Sequence, residues 1–400
     1  MAGVTIAAAP PRRAPVRSRI ARALFERAVS RLDRLEVIGP DGSALRSDPG
    51  APRMEITSER FFDRLGRDGK IGFGEAYMAG DWHTADLPDV LLAFANGLTS
   101  LIPPPFQRLR GLYEPPRPAH EANTETGARH NIRRHYDLSN ELFALFLDET
   151  MTYSCGIFEP GDSLADAQRR KYRAIAELAR LQPGQHVLEI GTGWGGMAMH
   201  AASEIGCRVT TITISEQQHE LASRRVQEAG LADRVEVLLR DYRAMEGRFD
   251  RIVSIEMFEA LGEEYWPVFF AACDRLLAPG GRMALQTITM PHDRYLASRR
   301  SHTWIHKYIF PGGLIPSERA VDGALRKASS LRAVDRRQIG QHYGPTLKAW
   351  RERFLGRWDD VRALGFDDTF RRMWEFYLAY CEAGFRAGAL GDVQLALERP

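Results

Sequence analysis

Four hundred residues exceed the usual size of one domain, so two domains, or one large domain with an appendage, are expected. The 44% apolar and 26% charged content is that of an ordinary soluble globular chain, and no run approaches the roughly 18 apolar residues that a spanning helix needs. Cys155, Cys207, Cys273 and Cys381 lie far apart with no C-x-x-C pair, which argues against a disulfide framework or a zinc site, points to no metal, and fits a reducing cytoplasm.

The net charge of +2 is unevenly spread. The early segment PPRRAPVRSRIARALFERAVSRLDRL places arginine after arginine among few acids. Such a basic, partly amphipathic arm could lie on an anionic membrane surface or remain a solvated terminus. VTIAAAP is too short for a secretory signal and precedes its arginines rather than following them. Residues 1–18 read as a flexible basic arm and 19–101 as an N-terminal unit, in which DLPDVLLAFANGLTSL has the pattern of an amphipathic helix. Six prolines, from Pro103 to Pro118, and a polar run then mark a linker over 102–128.

From Gln182 onward the rhythm changes. HVLEIGTG, RVTTITIS, RVEVLL, FDRIVSIEM and GRMALQTIT read as strands, and EQQHELASRRVQEAGL and YWPVFFAACDRLLAPGG as the helices between them. Alternation of this length predicts a parallel sheet with helices on both faces. Two further amphipathic patterns follow, around Thr346–Leu364 and Asp368–Gly388, and VQLALE reads as an added antiparallel edge strand.

LEIGTGWGG places Gly191, Gly193, Gly195 and Gly196 at a strand-to-helix turn, where a backbone must bend tightly and approach a ligand. The spacing also fits a dinucleotide site, so an NAD-dependent oxidoreductase is a competitor. The second strand, however, ends in Thr213, Ile214 and Gln218 rather than in the acid that would hold a ribose. The third ends in Asp241, Tyr242 and Arg243, a cluster suited to an adenine edge, and Glu189 stands just before the glycines. Five such strands read better as an S-adenosylmethionine fold.

MTYSCGIF, Met151 to Phe158, sits ahead of this fold. Cys155 in it could be a nucleophile, a metal ligand, a sensor thiol or a plain buried cysteine; taken alone it reads as the last.

HNIRRHYDLSNELFALFLDETMTYSCGIF, VLEIGTGWGG, TISEQQ, LRDYR, DRIVSIEMFEALG, WIHKYIFPGG and YGPTLKAWRERF together resemble one family, the cyclopropane-fatty-acyl-phospholipid synthases and related mycolic-acid and fatty-acid methyltransferases. The resemblance implies a class I S-adenosylmethionine-dependent methyltransferase, α/β and Rossmann-like, with a mostly parallel seven-stranded sheet over 129–400 and a smaller, helix-rich, lipid-associated N-terminal domain. It implies methyl transfer to a cis double bond of unsaturated acyl chains in phospholipids, at the cytoplasmic face of the membrane, and a homodimer.

By that resemblance Tyr136 and Tyr153 cover the sulfonium, whose charge an aromatic face attracts. Ser154, Glu189, Gly191, Gly193, Thr213, Ile214, Gln218, Tyr242 and Arg243 surround the rest of the cofactor. Cys155, Glu259, Gln286, Ile288 and Tyr343 match positions that surround a bound bicarbonate, so Cys155 would line an anion pocket. Cys381 matches a position traditionally suspected as catalytic, yet an alkene needs no thiol nucleophile, and it reads as core. An alkene attacks the sulfonium methyl by alignment, the carbocation is stabilised by fixed negative charge, and a base then takes a proton.

Two departures stand out. Gln286 replaces the histidine usual in ring-forming members, and Ala260 replaces another. Glutamine cannot titrate near neutral pH, so the deprotonation step differs. EALGEEYWP and LQTITMPHDRYLASR look closer to members that make a methylene branch, which a partner reductase saturates, as in tuberculostearic acid. A methylene-branched product is therefore expected, with a cyclopropane as the alternative and a non-catalytic S-adenosylmethionine sensor behind both. Nucleic acid is not an expected partner: no N-P-P-Y-type motif closes the fourth strand, and no basic stripe interleaved with aromatics occurs beyond the arm.

Overall fold

β-Branched and apolar runs become strands where both faces can be covered, and here they build the larger of two sheets, while the smaller is made of strands of two to four residues. The structure, a computed structural model, describes residues 15–101, 124, 127–128 and 139–400. The expected linker (all but a few of its residues), most of the basic arm and Tyr136 lie outside the described residues. The described parts of Met1–Pro116, Arg300–Tyr308 and Phe354–Ala389 form one compact unit, and those of Arg117–Arg299, Ile309–Arg353 and Leu390–Pro400 form a second.

The first unit holds a small sheet, β1 (Glu36–Ile38), β2 (Ala44–Arg46), β3 (Arg53–Ile56) and β4 (Trp82–His83), in the order β2-β1-β3-β4. Helices Pro15–Val29, Arg60–Met78, Leu87–Leu101 and Asp368–Arg386 belong to it. Its core is aromatic: Phe25 meets Phe61 edge-on at 5.0 Å, and Phe61 meets Phe62 likewise at 5.0 Å. Helix Pro15–Val29 buries Ala21, Phe25 and Val29 there and leaves Val16, Ile20 and Leu24 exposed. The amphipathic pattern near the C-terminus thus joins this unit rather than the large sheet.

The second unit is built on seven strands: β5 (His186–Ile190), β6 (Arg208–Thr213), β7 (Val235–Leu239), β8 (Phe249–Ile255), β9 (Leu277–Thr289), β10 (Arg332–Gln338) and β11 (Gly391–Glu398). Their order is β10-β11-β9-β8-β5-β6-β7, with β5 to β9 mutually parallel and β11 antiparallel to both neighbours. This is the mostly parallel seven-stranded sheet expected. The last run is antiparallel as expected but is not the edge. β11 is buried along its length between β9 and β10, and the charged, exposed β10 takes the edge instead. A strand whose side chains are Arg332, Asp335, Arg336 and Arg337 protects an edge from further pairing, and for the same reason it does not read as a strand.

β5 lies between β6 and β8, so the connections run to opposite sides from it and open a crevice beyond the carboxyl ends of β5 and β8. The functional side chains gather there. Among the described residues, no helix is long and apolar enough to cross a membrane.

Candidate active site

The loop after β5 turns on Gly191 and Gly193, whose φ angles of 101° and 52° suit glycine. A Cβ on Gly191 would sit 3.1 Å from Met257 Cβ, whereas one on Gly193 would meet nothing within 4 Å among the described residues. Among the described residues, the second glycine therefore answers to the backbone turn and leaves an open approach. Arg225 fastens this loop: its Nη1 donates to Trp194 O at 2.5 Å and to Thr150 O at 3.2 Å, and its Nη2 to Glu149 O at 3.0 Å. One guanidinium thus ties the glycine turn to the two residues just ahead of MTYSCGIF.

At the end of β6, Thr213 Oγ1 donates to Gln218 Oε1 at 2.8 Å, with half-buried Ile214 between them. Beyond β7, Arg243 is held by Asp241 at 2.9 and 2.6 Å, and Tyr242 is buried with no partner for its hydroxyl among the described residues. An open glycine backbone after β5 and, after β7 of the same sheet, a buried hydroxyl with no partner among the described residues fit the adenosine of the expected cofactor. Glu189 is different: it lies buried within β5, takes a bond from Thr211 Oγ1 at 2.6 Å, and burial pushes its carboxyl up to about 8.

In the Met151–Phe158 segment, Ser154 Oγ accepts from the fully buried Lys171 Nζ at 2.7 Å, and Ser154 O accepts from Gln168 Nε2 at 2.8 Å. Burial brings Lys171 down to about 8. Tyr153 packs between Trp350 at 5.0 Å and Phe143 at 5.2 Å. The Cys155 thiol donates to Gly156 O at 3.2 Å, and burial, with Asp392 and Glu256 behind it, pushes it well above its usual value. Such a thiol is not a nucleophile.

What Cys155 offers the site is its backbone amide, and the partner is a residue that sequence reasoning missed. Glu256, the first residue after β8, receives Cys155 N at 2.8 Å and Gln286 Nε2 at 2.8 Å on Oε1, and the Tyr343 hydroxyl at 2.5 Å on Oε2. Gln286 Nε2 also donates to Asp392 Oδ2 at 3.1 Å, and Gln286 Oε1 accepts from Gln394 Nε2 at 3.0 Å. Three of the five residues expected around an anion thus meet on one carboxylate. The other two pair together: Glu259 accepts from the Ile288 amide, and burial followed by the Glu256 charge pushes Glu259 up to about 8. Asp392 is raised well above the usual carboxylate range, first by burial and then by Glu256. The available signal was an acid interrupting the apolar end of FDRIVSIEM.

Cys381 is not part of this gathering. It sits on helix Asp368–Arg386 of the first unit, with its thiol pushed up to about 12 by burial. Among the described residues, no group of three or more His, Cys, Asp or Glu side chains could hold a metal ion.

Residues 123–395 match the family model for mycolic acid cyclopropane synthetase. The chain is 47% identical over 390 residues to the tuberculostearic acid methyltransferase UfaA1 of Mycobacterium tuberculosis, covering 95% of this chain and 91% of that one. It is 36% identical over 367 residues to the cyclopropane-fatty-acyl-phospholipid synthase of Escherichia coli, covering 90% of each. Among solved structures, the mycolic acid cyclopropane synthase CmaA1 complexed with SAH and CTAB superposes with a TM-score of 0.63 at 31% identity, covering 71% of this chain and 99% of that one.

Proposed function

The chain belongs to the mycolic acid cyclopropane synthetase family of S-adenosylmethionine-dependent methyltransferases, and from that footing we propose that it methylates the cis double bond of phospholipid acyl chains to give a methylene branch. The observation that carries this reading is the 47% identity, along nearly the whole chain, to a tuberculostearic acid methyltransferase. Buried Gln286 supports it, because a side chain that cannot titrate holds the place where the ring-forming pattern has histidine.

S-adenosylmethionine, when bound, supplies the methyl that the double bond accepts, leaving a carbocation. Gly191 and Gly193 would hold its methionine and ribose portions, Thr213, Ile214, Gln218, Tyr242 and Arg243 its adenosine, and Ser154 would donate to it, while Tyr153 and, by resemblance, Tyr136 would face the sulfonium. Glu189 would act through β6, bracing the strand end by its bond to Thr211. Glu256, with Tyr343, Gln286 and the Cys155 amide, would make the polar wall against which a cation forms, and Glu259, held on the Ile288 amide and pushed up to about 8, would extend it as a neutral carboxyl. Fixed negative charge placed beforehand is the largest lever available to such a reaction.

The same reading places the enzyme peripherally at the inner face of the membrane. Exposed Val16, Ile20 and Leu24, beside exposed Arg17, Arg19 and Arg27 on the same helix, suit an anionic phospholipid surface. A partner reductase that saturates the branch, and a homodimer, complete it. The test is turnover of oleoyl-phospholipid vesicles with S-adenosylmethionine, followed by proton NMR of the released fatty acid. Vinylidene signals are expected; upfield cyclopropyl signals would establish ring closure instead, and no methylated product would return the sensor reading.

A further inference from the structure

Bicarbonate, the anion implied by the resemblance, does not fit this site. The donors it would need, the Cys155 amide, Gln286 Nε2 and the Tyr343 hydroxyl, are already bonded to the Glu256 carboxylate at 2.8, 2.8 and 2.5 Å. Bicarbonate and carboxylate present the same planar fork of two oxygens sharing one charge, so one substitutes for the other and both cannot occupy one set of donors. A further anion would also enter among Glu256, Glu259 and Asp392, where burial and mutual repulsion already hold two of the three carboxyls high.

A second observation concerns the backbone. Glu256 has φ of +49°, a left-handed conformation that a residue with a Cβ avoids. The turn is kept by its amide, which donates to Gln286 O at 2.9 Å, and by the three donors on its side chain. Strain held at a residue whose side chain is fully engaged at the centre of a site points to function.

We infer that the Glu256 carboxylate is the built-in base of this enzyme, standing where a bicarbonate would otherwise bind and taking the proton that the methylated acyl cation must lose. This rests on methyl transfer to an alkene, the reading proposed above. The balance is simple. The double bond's electron pair bonds the incoming methyl as the sulfur–carbon bond breaks, and a hydride moves between neighbouring chain carbons. A C–H bond of the new methyl then gives its electron pair to form the methylene double bond, and its proton goes to a Glu256 oxygen. Nothing is oxidised or reduced, and no external anion is consumed. Tyr343, Gln286 and the Cys155 amide act as positioning groups on that carboxylate.

The experiment uses the full chain, oleoyl-phospholipid vesicles and S-adenosylmethionine in carbon-dioxide-free buffer, with and without added bicarbonate. Wild-type turnover is expected to be the same in both. Glu256→Gln, equal in shape but unable to take a proton, should lose roughly 100-fold or more in turnover while binding S-adenosylmethionine normally by calorimetry. Glu256→Gly suits the left-handed backbone and vacates the donors, so bicarbonate should restore part of its activity. Line broadening of 13C-bicarbonate should then appear with Glu256→Gly and not with wild type. Wild-type turnover that collapses without bicarbonate and returns with it would overturn the inference, as would a Glu256→Gln enzyme of normal rate. The two readings fail separately. A cyclopropyl product from a bicarbonate-independent wild type would sink methylene branching and leave Glu256 as the base, because ring closure removes a proton from the same methyl.

Discussion

Replacing Tyr343 by phenylalanine isolates one bond in the polar wall. The ring is buried and packs edge-on against Trp350 at 6.2 Å, a contact phenylalanine keeps. What is lost is the hydroxyl, the donor at 2.5 Å on Glu256 Oε2, while the two remaining donors both serve Oε1. A hydrogen bond to a charged group contributes about 1.5–3 kcal/mol. If that bond holds the carboxylate in register for proton removal, turnover should fall roughly 10- to 150-fold. KM for S-adenosylmethionine should stay as in wild type, because the hydroxyl is engaged by Glu256. The informative assay compares S-adenosylmethionine carrying CH3 or CD3. Slower proton removal makes the transferred methyl's C–H bond more rate-limiting, so the isotope effect should rise in Tyr343→Phe. An unchanged isotope effect with unchanged turnover would refute the reasoning; a raised KM for S-adenosylmethionine with normal turnover would move Tyr343 to cofactor binding.

Gln286→His puts a ring with one hydrogen at most on each nitrogen where one amide now bonds Glu256, Asp392 and Gln394 together. Turnover is expected to fall about 10-fold or more for a lost bond to charge, and a cyclopropyl fraction should appear by proton NMR; a purely methylene product would exclude Gln286 as the product switch. Glu189 tests burial: its carboxyl is neutral in the fold up to about 8 against 4.5 when unfolded, so its stabilising share is whole below 4.5 and is lost as pH rises to about 8. The limit is about 1.4 kcal/mol per pH unit, and Glu189→Gln should flatten the fall in urea midpoint across that window. Ile20→Glu with Leu24→Glu alters two exposed side chains on the outer face of a helix whose inner face packs Phe25. The pair should weaken binding to anionic vesicles without lowering the thermal midpoint; undiminished binding would remove that face from the membrane contact.

Local physics made much of this protein legible as a string of letters. β-Branched runs announced β5 to β9, the glycines after β5 announced a tight turn, and helix patterns such as Glu216–Glu228 carried their own caps, because each depends on neighbours a few residues away. The ordered pieces from His130 onward also identified the family, and with it the cofactor. What could not be read depends on distant partners. β10 is a charged run that pairs only because β11 supplies a buried face beside it. Glu256 and Glu259 stand three positions apart in one short stretch, and either could have met the donors from Cys155, Gln286 and Tyr343. The choice falls to Glu256 because chain folding brings it Cys155 from 101 positions away, Tyr343 from 87 and Gln286 from 30. Composition and spacing can nominate a carboxylate; only three donors converging from three parts of the fold decide which one is held in place.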